Sequence, residues 1–100
     1  MLYIVGDKQF DWDDNKNFSN IQKHGISFKE AASVFSDENA IEIDDDEHSR
    51  HEERFLIIGR SKKLRLLVVC HCYRESDTVI RIITARKAEN REVEVYRGEQ

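Results

Sequence analysis

Thr78-Val79-Ile80-Arg81-Ile82-Ile83-Thr84-Ala85-Arg86-Lys87 is apolar and β-branched enough to be a strand, yet it carries three cations. Strict alternation would set Arg81 with Val79, Ile83 and Ala85 on one face, and Arg86 with Ile80, Ile82 and Thr84 on the other. The two guanidiniums then point opposite ways, unless the strand ends or bulges near Ala85. Arginine is permanently charged, planar and rich in donors, so this pattern suggests a phosphate or carboxylate site built on a sheet. The plainer alternative is a half-exposed strand whose arginines serve as surface or salt-bridge residues.

Working outward from this strand, Leu64 to Tyr73 and Arg54 to Arg60 read as two more strands. Their links, Arg74 to Asp77 and Ser61 to Lys63, are short enough for antiparallel hairpins. Ala40 to Ile43 alternates as a short strand, and Asp44 to His51 is an acidic loop. Upstream, Gln9 to Trp12 is extended, Asp13 caps a helix over Asp14 to His24, and Gly25 stops it. Ser27 with Glu30 three residues on has the form of a capping box, opening a second helix with Phe28, Ala31, Ala32 and Phe35 along its apolar stripe. A charged helix from Lys87 to Tyr96 closes the chain. The expected class is α+β: two N-terminal helices and a C-terminal helix on a small, curved, mainly antiparallel sheet, as one domain over residues 1–100.

Composition narrows the function classes. The chain has 39% hydrophobic and 36% charged residues and no proline, which fits a globular chain rich in regular structure. The longest apolar run, Leu66 to Cys70, is far below the roughly 20 residues that span a bilayer. Cys70 and Cys72 lie two apart along one strand, poor geometry for a disulfide, and reduced thiols fit a cytoplasmic protein. The net charge of −4 conceals segregation. Residues 1–53 carry 5 basic and 14 acidic side chains, whereas residues 54–97 carry 11 basic and 5 acidic. An acidic total opposes indiscriminate nucleic-acid binding, but a basic half can still present a positive face to a phosphate chain.

Several motifs share one order: Phe10-Asp11-Trp12-Asp13, Lys16, Asn20, Lys23-His24-Gly25-Ile26-Ser27-Phe28-Lys29-Glu30-Ala31, His48-Ser49 with Glu52-Glu53-Arg54, Gly59, Ser61, and Arg81 to Ala88. Together they resemble the BrnT family of bacterial toxins, from Phe10 to Tyr96. The stretch Met1 to Gln9 departs from it as a longer N-terminal extension. The resemblance implies a RelE-like ribonuclease fold and toxicity through RNA cleavage that halts translation. It also implies neutralisation by a BrnA-type antitoxin that itself binds operator DNA.

Metal-free RNA cleavage needs a base for the ribose 2′-hydroxyl, a cation for the phosphorane charge and an acid for the 5′ oxygen. Arg54, Arg81 and Arg86 fall at motif positions and are assigned to phosphate binding and charge stabilisation, with Arg65 and Lys87 as further RNA-binding cations. Candidates for the base are His71, Glu52 and Glu53; Tyr96 is a candidate for positioning or protonation. Trp12 is a candidate for base stacking, against the commoner role of anchoring the first helix. A hydrogen-bonded structural histidine is the competing reading of His71. His48 and His51 beside Asp44 to Glu47 place imidazoles and carboxylates together, but a flexible acidic loop preorganises a metal poorly, and no metal or other cofactor is expected. A different class stays open: a non-catalytic module of the same fold, whose basic sheet grips an acidic partner.

Overall fold

The computed structural model describes residues 2–98. Strands β1 (Leu2–Val5) and β2 (Lys8–Asp11) form a hairpin, followed by helices α1 (Asp14–His24) and α2 (Phe28–Ser33). A 3-10 turn, Val34–Ser36, leads to β3 (Ile41–Asp44), and a second, Asp46–His48, precedes β4 (Phe55–Arg60). Strands β5 (Leu66–Arg74) and β6 (Val79–Lys87) and helix α3 (Asn90–Tyr96) complete the chain. One six-stranded sheet runs β1-β2-β6-β5-β4-β3. The pairs are antiparallel except β2 with β6, which is parallel, so the sheet is mixed.

Two expectations need correction here. The helices do not open the fold; the β1–β2 hairpin precedes them and supplies two strands. Its two-residue link begins with Gly6 at φ +60, the left-handed geometry that suits tight hairpins. The last helix begins at Asn90 rather than Lys87, because β6 keeps pairing through Lys87 and Leu67. Glu92 then closes the new N-terminus by accepting the Glu89 N–H at 2.8 Å.

Local chemistry accounts for the helix ends. The Asp13 carboxylate accepts from Asn15 N and Lys16 N, Ser27 Oγ accepts from Glu30 N, and Gly25 ends α1 at φ +69. Both helices lie on one face of the sheet. There, the alternate residues Leu67, Val69 and His71 of β5 and the residues Ile80, Ile82 and Ala85 of β6 join Phe10, Trp12, Ile26 and Phe28 in the interior. Asn20 stitches helix to sheet: its Nδ2 donates to Ala85 O and Ile26 O, both at 2.9 Å, and its Oδ1 accepts from Ala85 N at 3.1 Å. Strand β2 pairs with β6 only as far as Arg81, so Asn20 serves backbone groups that no strand reaches.

Candidate active site

The decisive local feature is a bulge in β6. Cys70 pairs with Thr84 whereas His71 pairs with Ile82, which leaves Ile83 as an extra residue. That residue reverses the alternation. Arg81 opposite Cys72 and Arg86 opposite Val68 therefore share a face with Cys70, Thr84 and Leu56, away from α1 and α2. Arg54, two residues before Leu56, joins them at the head of β4.

Two clefts follow this face and share Glu47, His48 and Arg54 as common wall. One, of about 320 Å³, includes Arg86, Arg91 and Glu92; its neighbour, of about 580 Å³, includes Arg74, Glu52 and His51. Carboxylates hold most of the arginines in place. Arg86 meets Glu92 through two bonds, Nη1 to Oε1 at 2.8 Å and Nη2 to Oε2 at 2.6 Å, and this pairing holds the Glu92 carboxyl below its ordinary range. Because Glu92 lies on α3, the same pair fixes that helix beside the arginine face. Arg81 Nη1 donates to Asp11 Oδ2 at 2.8 Å across the parallel pair, and Arg74 Nη2 reaches Glu52 at 3.2 Å. Arg54 is the least satisfied. Its Nε is buried with no hydrogen-bond partner, and the Glu52 carboxylate stands 3.8 Å away. With Nε shut off from solvent, what Arg54 can offer an external anion in the clefts is its terminal guanidinium nitrogens.

Arg54, Arg81 and Arg86 are thus brought to one face, and Glu52 lines the larger cleft beside Arg54; the remaining candidates lie elsewhere. His71 is fully buried on the helix-covered face, with Nδ1 3.0 Å from Val69 O, Nε2 2.6 Å from Glu42 Oε2, and Phe35, Phe55 and Tyr73 around it. Glu53 lines a separate recess with Glu42 and Tyr73. Tyr96 donates to Asp37 Oδ2 at 2.7 Å, and that bond pushes its phenol above the ordinary value. Trp12 is buried between Tyr3 and Phe28, with no ring face open to a base. Arg65 is committed to the buried Glu30, which also accepts from Ser61 Oγ at 2.7 Å, and to Gly25 O. Lys87 is exposed opposite Leu67, on the helix side by register.

Sequence reasoning overlooked Arg74, Arg91 and the pairing of Asp45 with His48. The last had a usable signal, since Asp45 and His48 stand three residues apart, one turn of a 3-10 helix. Among the described residues, no group of three His, Cys, Asp or Glu side chains is arranged to hold a metal ion. Cys70 and Cys72 are free and buried.

Residues 12–92 match the family described as "Ribonuclease toxin, BrnT, of type II toxin-antitoxin system". The chain belongs to the BrnT family of ribonuclease toxins. The match starts at the residue after β2, so the β1–β2 hairpin lies ahead of the matched span. A solved structure, the Brucella abortus ribonuclease toxin BrnT at 1.1 Å resolution, superposes with a TM-score of 0.59 at 22% identity, covering 79% of this chain and 94% of that one. The fold is therefore that of BrnT. A comparison with curated proteins found no match. No helix among the described residues is long and apolar enough to cross a membrane.

Proposed function

We propose that this BrnT-family chain is a metal-independent endoribonuclease of RelE-like fold that cleaves RNA and arrests translation in the cytoplasm. The carrying observation is the bulge at Ile83, which gathers Arg81 and Arg86 on the face where Arg54 lines a cleft. An RNA backbone laid along that face meets cations in series. Arg54, on the wall shared by both clefts, and Arg86, held rigid by Glu92, are the groups best placed to receive the charge that builds on the phosphorane. Arg81 and Arg74 grip neighbouring phosphates by exchanging carboxylate partners for phosphate oxygens.

The same geometry supports control by a BrnA-type antitoxin. A partner that covers the arginine face excludes RNA by occupying its place, and an acidic segment matches the charge it must cover. Operator DNA is contacted through the antitoxin rather than by this chain, whose net charge is −4.

The test is incubation of a defined RNA with purified protein in EDTA, with the ends of the products identified. Products ending in 2′,3′-cyclic phosphate support transesterification without metal. If the folded protein cleaves nothing, alone or with ribosomes, the reading fails and the partner-binding module is the better account.

A further inference from the structure

His48, a residue that the sequence places in an acidic loop, sits on a turn fixed by hydrogen bonds to the start of β4. The Asp45 N–H donates to Arg54 O at 2.9 Å. Ser49 Oγ donates to Asp45 O at 2.7 Å and accepts from Arg54 N at 2.9 Å. These bonds stitch the 3-10 turn to the start of β4 and carry His48 to the wall of the cleft that holds Arg54 and Arg86.

The imidazole is 59% exposed, yet one side of it is fixed: Nδ1 lies 2.9 and 3.0 Å from the two oxygens of Asp45. Asp45 is itself 8% exposed and is held from the sheet by the Cys70 thiol, with Sγ 3.6 Å from Oδ2. A carboxylate only accepts, so in the neutral ring the proton sits on Nδ1 and the lone pair on Nε2, which is free of the Asp45 contact. The other imidazoles lack this arrangement. His71 is buried on the opposite face, His24 ends α1 on the helix side, and neither His24 nor His51 has an orienting carboxylate among the described residues.

We propose that His48, oriented by Asp45, is the general base for RNA cleavage on the arginine face. This rests on the ribonuclease reading above. Nε2 takes the proton of a ribose 2′-hydroxyl as the 2′ oxygen forms its bond to the adjacent phosphorus. The bond from phosphorus to the 5′ oxygen breaks, and the 5′ oxygen leaves with a proton drawn from solvent water. The products are a 2′,3′-cyclic phosphate and a 5′-hydroxyl. His48 then returns its proton to water, and nothing is oxidised or reduced.

The experiment compares wild type, His48→Ala and Asp45→Asn on a defined RNA in EDTA. Binding is measured separately with the same sequence as 2′-O-methyl RNA, which lacks the hydroxyl to be deprotonated. General-base catalysis typically contributes about 10² to 10⁴ in rate, so His48→Ala is expected to lose cleavage by that factor while 2′-O-methyl RNA binding stays within about threefold. Asp45→Asn offers an amide N–H to Nδ1, moves the ring proton to Nε2 and blocks the base, so it is expected to lose cleavage too. Added imidazole is expected to restore part of the rate to His48→Ala. Wild-type cleavage by His48→Ala, with Arg54→Ala and Arg86→Ala inactive, would overturn the base and leave the ribonuclease standing. Wild type that cleaves no RNA would overturn both.

Discussion

Replacing Asn20 with alanine removes one side chain that makes three hydrogen bonds to buried backbone, at Ala85 N, Ala85 O and Ile26 O. Asn20 is 5% exposed, and both Ala85 and Ile26 are fully buried, so water cannot substitute without opening the helix–sheet contact. A buried hydrogen bond is worth about 1 kcal/mol net, and a stranded polar group costs at least that much, which gives about 3 kcal/mol in all. For a domain of this size each kcal/mol moves the melting temperature by about 4–8 °C, so Asn20→Ala should melt about 12–24 °C lower. Asn20→Asp should be no better. Its carboxylate still accepts from Ala85 N, but it faces two carbonyl oxygens to which it can donate nothing. Thermal unfolding followed by circular dichroism, with urea titration as a check, measures both. A fall of less than about 3 °C in Asn20→Ala would refute the claim that this residue closes the unpaired side of β6.

Three further outcomes follow from the packing and charge. The folded state holds the carboxyls of Glu30, Asp37 and Glu92 below their ordinary values, Glu30 chiefly through its hydrogen bond from Arg65 and Glu92 chiefly through Arg86; Asp37 is lowered by the Arg60 N–H and Tyr96 against the opposing effect of burial. Depressed carboxyls contribute stability that is present above their unfolded values and is lost as pH falls through the folded ones. The urea midpoint should therefore be flat near neutrality and drop below about pH 4.5, more shallowly in Glu30→Gln. Gly59→Ala would place its Cβ 2.9 Å from both Ala40 Cβ and Val34 Cγ1, short groups that cannot swing aside, and should cost about 1–3 kcal/mol in chemical denaturation. Cys70, pushed up to about 12 by burial and the neighbouring Asp45, and the buried Cys72 should resist thiol reagents in the native protein and react once it is unfolded.

Local rules made much of this fold legible. Asp13, Ser27 and Gly25 mark helix ends that depend on only a few neighbouring residues, and the structure places those ends where the caps put them. Strands β4 to β6 follow from β-branched runs joined by short links. What local rules could not supply were pairings decided at a distance. The parallel join of β2 to β6 links residues about 70 apart in sequence, and the extension of β6 through Lys87 depends on Leu67 opposite it. The bulge at Ile83 belongs to the same class. Alternation within β6 raised it only as a condition, and the register against β5 decides it. The chemistry of the arginines marks them in the sequence as candidates for an anion site. The company they keep is not marked there, because an acidic run such as Asp44 to Glu47 reads as a solvated loop until Cys70 and Arg54 are seen to anchor it.

On the proposed function, one face of the sheet, defined by the bulge, cleaves RNA. Its most direct test is the initial cleavage rate of a defined RNA in EDTA by wild type, Arg54→Ala, Arg81→Ala and Arg86→Ala, with Lys29→Ala as control. Lys29 lies on α2, over the Tyr3 ring and away from the arginine face. Removing a preorganised charge-stabilising group costs about 10²-fold or more, so Arg54→Ala and Arg86→Ala should fall by at least that while Lys29→Ala cleaves as wild type does. Arg81→Ala should fall as well, chiefly through weaker binding. Wild-type rates in all three arginine variants would contradict the account.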